Sequence, residues 1–450
     1  PCAWLSLVLS LATIVVAAVY TVILSNFPAL DLFHSMFVVD NFSVGLKVVI
    51  YFSVLVNFVY SSRYILNDCA FVGEYCALNL FSMLGMMVLV SADNFLSLYL
   101  GLELLALPLY ALITISKKYK DSSEAAMKYF VMGAMASGLL LYGVSLLYGV
   151  SGSLEFNSIS REFLNYAGTP KLALQFGMVF VLAGVAFKLG AAPFHMWLPD
   201  VYQGAPISVT MFIATAPKIA AFGMAMRILS NVFPENSTDW EMLLSFMAVL
   251  SLVVGNLAAL LQTNIKRLLA YSTISHMGFI LLGIIAGDKS AINPGMFYVL
   301  TYVITLLAAF GLISALSKNG CEVVNIKDLA GLGKKSPYIS LLLLIVLFSL
   351  AGIPPMLGFY AKLFVLHALL EQGSIGLAIT AIIMSVIGAY YYLKILKVIY
   401  FDQEQNIREV AEIKISLAGY TLLSVNSLAV LGFGLLPAPI LAFCARMVLY

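Results

Sequence analysis

Several ionisable side chains stand inside long apolar runs, where a charge is costly to keep. Glu103 lies midway through Leu-Tyr-Leu-Gly-Leu-Glu-Leu-Leu-Ala-Leu-Pro, residues 98–108. Lys188 closes a run over 172–190, Lys218 is central in 207–230, and Lys362 follows Gly-Phe-Tyr-Ala at 358–361. His276 falls in Ser-Thr-Ile-Ser-His-Met (272–277), and Lys128 lies one turn into 125–149. A charge at the centre of a bilayer costs at least about 2.5–3.5 kcal/mol, so residues of this kind are functional by default. Burial disfavours an ammonium ion and a neighbouring carboxylate restores it, so a lysine whose partner moves can take up and release a proton. Moving one proton against about 150–200 mV needs roughly 3.5–4.6 kcal/mol, which a buried Glu–Lys pair that opens and closes can supply. The chemistry these residue types point to is a proton relay.

Some of these positions have a plainer reading. Lys128 and Lys394 lie near the ends of their runs and can snorkel to the interface. His276 and His367 can be satisfied core histidines, and Arg227 reads as an interfacial anchor near the end of its run. Glu103, Lys188, Lys218 and Lys362 have no cheap route to water.

The elements that must position them follow from composition. The chain has 450 residues, 62% hydrophobic and 10% charged, where a soluble protein carries about 25% charged residues. Its 24 Lys and Arg and 22 Asp and Glu are too few to cover a water-exposed surface of this size. That excludes a soluble enzyme, a nucleic-acid binder and a disordered scaffold. A bilayer-crossing helix needs about 20 apolar residues. Fourteen segments qualify: 3–24, 43–61, 73–92, 95–115, 125–149, 172–190, 207–230, 242–261, 271–287, 294–317, 338–354, 356–370, 374–399 and 414–436. Their apolar runs are continuous and do not alternate, which predicts helices, and the joining loops are short, which predicts one polytopic domain.

Two places interrupt the pattern. Pro193, Pro199 and Pro206 punctuate 191–206, and Gly352, Pro354, Pro355 and Gly358 fall where hydropathy is still high. Proline removes a backbone donor and glycine loosens a helix, so both places predict broken helices at membrane depth, the best sequence pointer to a conduction or binding site. The plainer reading of 191–206 is a connecting loop. Basic residues sort by side: Arg63, Lys117, Lys118, Lys120, Lys266, Arg267, Lys318, Lys327, Lys334 and Lys335 fall in one set of loops. The other set holds Arg161, Lys171, Lys289 and Arg408 among acids that include Asp31, Asp40, Glu155, Glu162, Glu235, Asp239 and Glu241, and Lys394 and Lys397 weaken the asymmetry without reversing it. The first set is expected on the cytoplasmic or matrix side, together with the residue-1 end. The first run shows no charged n-region and no small-residue cleavage site, so it does not read as a signal peptide.

The cysteines (Cys2, Cys69, Cys76, Cys321, Cys444) are scattered and form no CxxC or Cys/His cluster. This argues against an iron–sulfur centre, a zinc site or a disulfide framework. Gly-Leu-Gly-Lys-Lys-Ser at 331–336 lacks a phosphate loop, because the first glycine of that motif would fall on Asp328.

At the ionisable residues the sequence resembles a known family. Segments 100–108, 124–130, 187–206 and 262–278 are similar to the antiporter-like subunits of respiratory complex I. Asp-Val-Tyr-Gln-Gly-Ala-Pro (200–206) and Ala-Gly-Ile-Pro-Pro-Met-Leu-Gly-Phe-Tyr-Ala-Lys (351–362) look most like the N type (chain 2), not the L and M types. The resemblance implies a proton-translocating membrane-arm subunit of NADH:quinone oxidoreductase, an enzyme subunit with no redox centre of its own. NADH, FMN, iron–sulfur clusters and quinone would be bound by other subunits. It implies an all-α polytopic fold of about 13–14 transmembrane helices with two inverted five-helix repeats. These would cover 73–230, broken near 188–206, and 242–400, broken near 352–370. Glu103 matches the family's glutamate on the fifth helix, Lys188 the lysine on the broken seventh, Lys218 the central lysine on the eighth and Lys362 the lysine on the broken twelfth. On this alignment residue 1 falls within the family's second helix, and the first, outside the repeats, is missing.

The resemblance further implies antiporter-like M- and L-type partners, small K-, J- and A-type partners, lipid and protons, and no nucleic acid. The expected location is a bacterial inner membrane, with the mitochondrial inner membrane as the alternative. The expected route starts at Lys188 paired with Glu103, passes Lys218 and His276, and leaves from Lys362. Lys128 is a further candidate. Rival readings are a subunit of a multi-subunit cation/proton antiporter or membrane-bound hydrogenase, a secondary solute transporter, and a passive membrane anchor.

Overall fold

The computed structural model describes residues 2–25, 28–68, 71–115, 120–165, 169–233, 238–287, 293–316, 322–402 and 416–447. Of the residues counted for orientation, Lys117, Lys118, Glu235, Lys289, Lys318 and Arg408 lie outside them, as do Cys69 and Cys321. The chain is helical almost throughout, as the continuous apolar runs require, because in lipid every backbone polar group must be satisfied within its own segment. The first half holds α1 (Cys2–Leu24), a hairpin of β1 (Leu30–Leu32) and β2 (Phe37–Val39), α2 (Asn41–Asp68), α3 (Val72–Val90), α4 (Phe95–Ile113), α5 (Lys120–Ser151) and α6 (Phe156–Asn165). It continues with α7 (Thr169–Leu189), α8 (Trp197–Gly204), α9 (Ile207–Ala214) and α10 (Ala216–Asn231). The second half holds α11 (Thr238–Leu260), α12 (Ile265–Ala286), α13 (Pro294–Ala315), α14 (Leu332–Lys335), α15 (Pro337–Ala351) and α16 (Leu357–Glu371). Three helices close it: α17 (Ile375–Tyr400), α18 (Leu417–Leu435) and α19 (Ala438–Arg446).

All fourteen apolar segments are occupied by helix, but fourteen crossings do not follow. Among the described residues, twelve stretches are long and apolar enough to cross a membrane. α15 and α16 have 15 residues each, about 22 Å at 1.5 Å per residue, which is short of a hydrocarbon core of about 30 Å. Segments 338–354 and 356–370 are therefore two half-helices. The interruption at 191–206 is also real: α7 stops at Leu189 and a buried short helix, α8, follows. A further interruption, unforeseen from the sequence, sits at Thr215 inside the apolar span Ile207–Asn231, where the backbone leaves helical geometry (φ −119°, ψ −86°) just before Pro217.

Burial sorts the helices into an interior and a periphery. The span Ile207–Asn231 is wholly buried and α12 and α13 nearly so, while α1, α17 and α18 are mostly exposed along their apolar faces. Helices apolar all round in the middle and exposed apolar helices outside are what lipid solvation permits.

The loops gather at two ends. At one, β1–β2 lies against the α3–α4 turn through Val38 N–H to Ser91 O (2.8 Å), and Asp93 accepts from Asn231 Nδ2 (3.2 Å) at the end of α10. At the other, Ile265 N–H donates to Val324 O (3.0 Å), and Arg267 reaches Asp200 (2.7 Å), which also holds Lys128 (2.9 Å). Asp31, Asp40, Asp93 and Glu155 fall at the first end and Lys266, Arg267 and Lys327 at the second.

Candidate functional site

Each half of the molecule holds one lysine ammonium at the carbonyl end of an interrupted helix. In the first half, Lys218 on α10 is 1% exposed. Its Nζ donates to Leu189 O at 2.7 Å, with Lys188 O at 3.5 Å, and lies 5.0 Å from the Trp197 ring centroid. In the second half, Lys362 on α16 is 8% exposed. Its Nζ donates to Ala351 O at 2.8 Å and to Ser385 Oγ at 3.0 Å, with Leu350 O at 3.4 Å, and lies 5.4 Å from the Phe279 centroid. The last carbonyls of a helix have no intrahelical partner and carry its negative dipole end, so a cation is favoured there.

The local sequence builds these two cradles in the same way. Leu189 is followed by Gly190 (φ +78°) and Ala351 by Gly352 (φ +82°), the left-handed helix stop that glycine adopts freely. A Cβ on Gly190 would lie 3.2 Å from Lys218 Nζ and 2.4 Å from Leu198 Cδ1, and one on Gly352 would lie 2.8 Å from Lys362 Cδ. Glycine is thus needed both for the turn and for room beside the ammonium.

The Glu103–Lys188 ion pair expected from the sequence is not formed. Glu103 Oε1 accepts a 2.5 Å hydrogen bond from Ser137 Oγ on α5. Lys188 is buried and its Nζ has no hydrogen-bond partner among the described residues. Lys188 and Lys218 instead line one cavity with Tyr129 and Trp197, with room for about one water molecule.

His276 on α12 is buried between two phenols. Its Nδ1 is 2.7 Å from Tyr298 OH and its Nε2 is 3.2 Å from Tyr392 OH, which also bonds Ser272 Oγ. A second cavity is lined by His276, Tyr298, Thr301, Thr305, Ser349 and Leu350, the last of these a carbonyl contact of Lys362. This hydroxyl-lined space runs from His276 to Leu350 and Ala361, next to Lys362, whose own side chain does not line it. Among the described residues, no direct hydrogen bond links this group to Lys218.

The remaining positions divide. Lys128 is half exposed and pairs with Glu124 and Asp200, each at 2.9 Å. Lys394 is exposed. His367 is exposed and 3.5 Å from Glu371, so it is no core histidine. Arg227 is the clear reversal: it is 1% exposed and pairs with Asp40 at 2.6 Å, so it is no interfacial anchor. A buried pair also went unseen, with Lys266 Nζ 2.6 Å from Glu322 Oε2 and Glu322 Oε1 accepting from Ile207 N–H at 2.8 Å. Sequence reading missed the hydroxyl partners Ser137, Ser385, Tyr298 and Tyr392 too. Tyr298, Thr301 and Thr305, spaced three and four apart on one face of α13, were the available signal.

The family described as "NADH:quinone oxidoreductase/Mrp antiporter, TM" matches residues 92–388. NADH-quinone oxidoreductase subunit N of Herminiimonas arsenicoxydans is 48% identical, over 99% of this chain and 92% of its own. The same subunit of Neisseria gonorrhoeae is 47% identical, over 97% of this chain and 90% of its own. Among solved structures, a chain of respiratory complex I from Thermus thermophilus with bound aureothin superposes with a TM-score of 0.84 at 31% identity, covering 98% of this chain and 95% of that one. A chain of the archaeal membrane-bound sulfane sulfur reductase superposes with a TM-score of 0.86 at 24% identity, covering 98% and 90%, which speaks to the fold alone.

Proposed function

The chain belongs to the subunit N family of NADH-quinone oxidoreductases, the proton-translocating antiporter-like subunits of the complex I membrane arm, and we propose that protons pass through it on Lys218 and Lys362. The observation that carries this reading is the repeated cradle: one buried ammonium in each half, held by the terminal carbonyls of an interrupted helix beside a small cavity. Such an ammonium has few fixed partners and, among the described residues, no counter-ion in contact, so a modest change nearby shifts its proton affinity.

In this reading Glu103 and Lys188 form the uptake pair. Glu103 leaves Ser137 to engage Lys188, and its return drives the proton over the shared cavity to Lys218. Transient water carries it to His276 and its phenols, and from there to Lys362. Lys128, with Glu124 and Asp200, gathers protons at the basic end. The two halves correspond to inverted repeats over 73–230 and 242–400, with α15 and α16 as one broken crossing. The basic end faces the cytoplasm of a bacterium, whose inner membrane also holds the M-, L-, K-, J- and A-type partners. NADH, FMN, iron–sulfur clusters and quinone belong to other subunits, and quinone reduction there supplies the energy.

The cation/proton antiporter reading shares the fold. The curated relatives of 46–48% identity that match over nearly the whole chain are subunit N proteins, while a chain of the Mrp complex of a Dietzia species shares 23%. The deciding experiment is NADH-driven acidification of inverted membrane vesicles carrying the complex with Lys218→Ala or Glu103→Gln. Both are expected to cut pumping about tenfold, and unchanged pumping in both would sink the reading.

A further inference from the structure

Lys218 has a second ionisable cluster above it on its own helix. Arg227 lies nine residues further along α10, about 13 Å toward the acid-rich end at 1.5 Å per residue. Its guanidinium is buried, with Nη2 donating to Asp40 Oδ1 at 2.6 Å and Nε to Val90 O at 3.2 Å, and it lies 5.2 Å from the Phe42 centroid. Asp40 is held in place as the cap of α2: its Oδ1 also accepts from Ser43 N–H at 2.9 Å. Asp40 Oδ2 is buried and has no hydrogen-bond partner among the described residues.

Two features make this more than a structural tie. First, fully buried cations outnumber fully buried carboxylates in it. Lys47, two turns deeper on α2, is also buried, with its amine 4.8 Å from the Phe37 centroid. A further acid, Asp93, lies within electrostatic reach of Arg227 but is only half-buried and is engaged by Asn231 at 3.2 Å. Second, every residue of α10 between Lys218 and Arg227 is apolar and buried. At Gly223, one turn before Arg227, a Cβ would lie 2.9 Å from Leu46 Cδ1 and 3.2 Å from Val90 Cγ2. Phe222 and Ala225 beside it are fully buried. A guanidinium keeps its charge at any working pH and so cannot itself pass a proton on.

We propose that Arg227, fixed by Asp40 and seconded by Lys47, is a permanent positive barrier that closes the acid-rich end of the first half to protons. A proton on Lys218 is thereby turned sideways, toward the His276–Lys362 half, instead of leaving along its own helix. The inference rests on the proton-translocating role of the chain, but its readout is leak, not pumping.

The test uses the assembled complex in inverted membrane vesicles. NADH oxidation builds a pH gradient, an inhibitor then stops it, and the decay of the gradient is timed. Arg227→Gln is expected to speed the decay at least threefold, and Arg227→Lys, which keeps the charge, to leave it slow. Fast decay in Arg227→Lys overturns the proposal, since shape and not charge would then matter. So does an Arg227→Gln complex that pumps and holds its gradient like the wild type, or one that loses pumping without leaking, which would make Arg227 part of the path. If Arg227→Gln fails to assemble, the charge-neutral pair Asp40→Asn with Arg227→Gln replaces it. Leak in that pair supports the barrier and a tight membrane overturns it. Lys218→Ala, which removes the carrier, separates the two ideas: it loses pumping with no leak.

Discussion

The ammonium of Lys218 lies 2.7 Å from the carbonyl oxygen of Leu189, the last residue of α7. Lys362 stands in the same relation to Ala351, the last residue of α15, at 2.8 Å. In the second half the lysine comes from the continuation of the interrupted helix itself. In the first it comes from α10, beyond the short α8, while Lys188 on α7 contributes a carbonyl. The geometric counterpart of Lys362 is therefore Lys218, although sequence position pairs Lys362 with Lys188.

Removing the titratable amine should matter whether or not a positive charge is kept. Lys218→Ala is expected to lower NADH-driven proton pumping about tenfold, and Lys218→Arg at least as much, since a guanidinium can still meet the carbonyls but cannot give up its proton. A cation at a helix C-terminus stabilises by about 0.3–2 kcal/mol, so thermal unfolding of the purified complex should change only slightly. Large instability in Lys218→Ala would assign the residue to the fold alone.

The glycine stops are expected to be intolerant of a single methyl group. Gly190→Ala and Gly352→Ala place a side chain at left-handed φ, which costs roughly 1–2 kcal/mol. Each also crowds its lysine. Gly190→Ala should be the more damaging, because Leu198 Cδ1 occupies the same space at 2.4 Å. Pumping rate and the amount of assembled complex, measured together, check this.

Glu103 accepts a hydrogen bond of 2.5 Å from Ser137 and makes no ion pair with Lys188. A hydrogen bond to a charged group contributes about 1.5–3 kcal/mol. Ser137→Ala is expected to bias Glu103 toward Lys188 and slow turnover several-fold while leaving pumping coupled to it. Glu103→Gln should instead cut pumping per electron. Equal proton-to-electron ratios in both variants would count against the switch.

The phenols around His276 should act as a set. Tyr298→Phe and Tyr392→Phe each remove one hydroxyl partner of the ring, at 2.7 Å and 3.2 Å. Groups in one network are non-additive, so the double variant is expected to lose no more than about twice what the worse single variant loses. Independent, multiplying losses would show that the two tyrosines serve different purposes.

At the basic end, Asp200 binds Lys128 and Arg267 at once. Burial pushes its carboxyl up, but the hydrogen bonds and charges of Lys128 and Arg267 outweigh that and hold it below the usual value of 3.8. A carboxyl lowered in the folded state stabilises fully at neutral pH and loses that contribution only as pH falls from about 3.8 through its folded value. Asp200→Asn should therefore lower thermal stability at neutral pH, with the difference from wild type shrinking under strong acid. A difference independent of pH would remove the clamp from consideration.

Composition and periodicity by themselves determined the helical membrane class, the fourteen apolar segments, the two glycine–proline interruptions and the few ionisable residues inside apolar runs. These follow from a local rule: lipid tolerates neither open backbone nor stray charge, so any exception is visible in one dimension. Which partner each charge takes was left to the tertiary structure, because contacts between distant helices leave no local trace. Arg227 looks interfacial until Asp40, 187 residues away in sequence, is brought to it. Glu103 looks destined for Lys188 until Ser137 on the neighbouring helix meets it first. Tyr298, Tyr392 and Ser385 pass unnoticed in apolar helices, where a hydroxyl scarcely changes hydropathy, until packing turns them on His276 and Lys362. The sequence named the charges, and the packing of the helices decided what each of them faces.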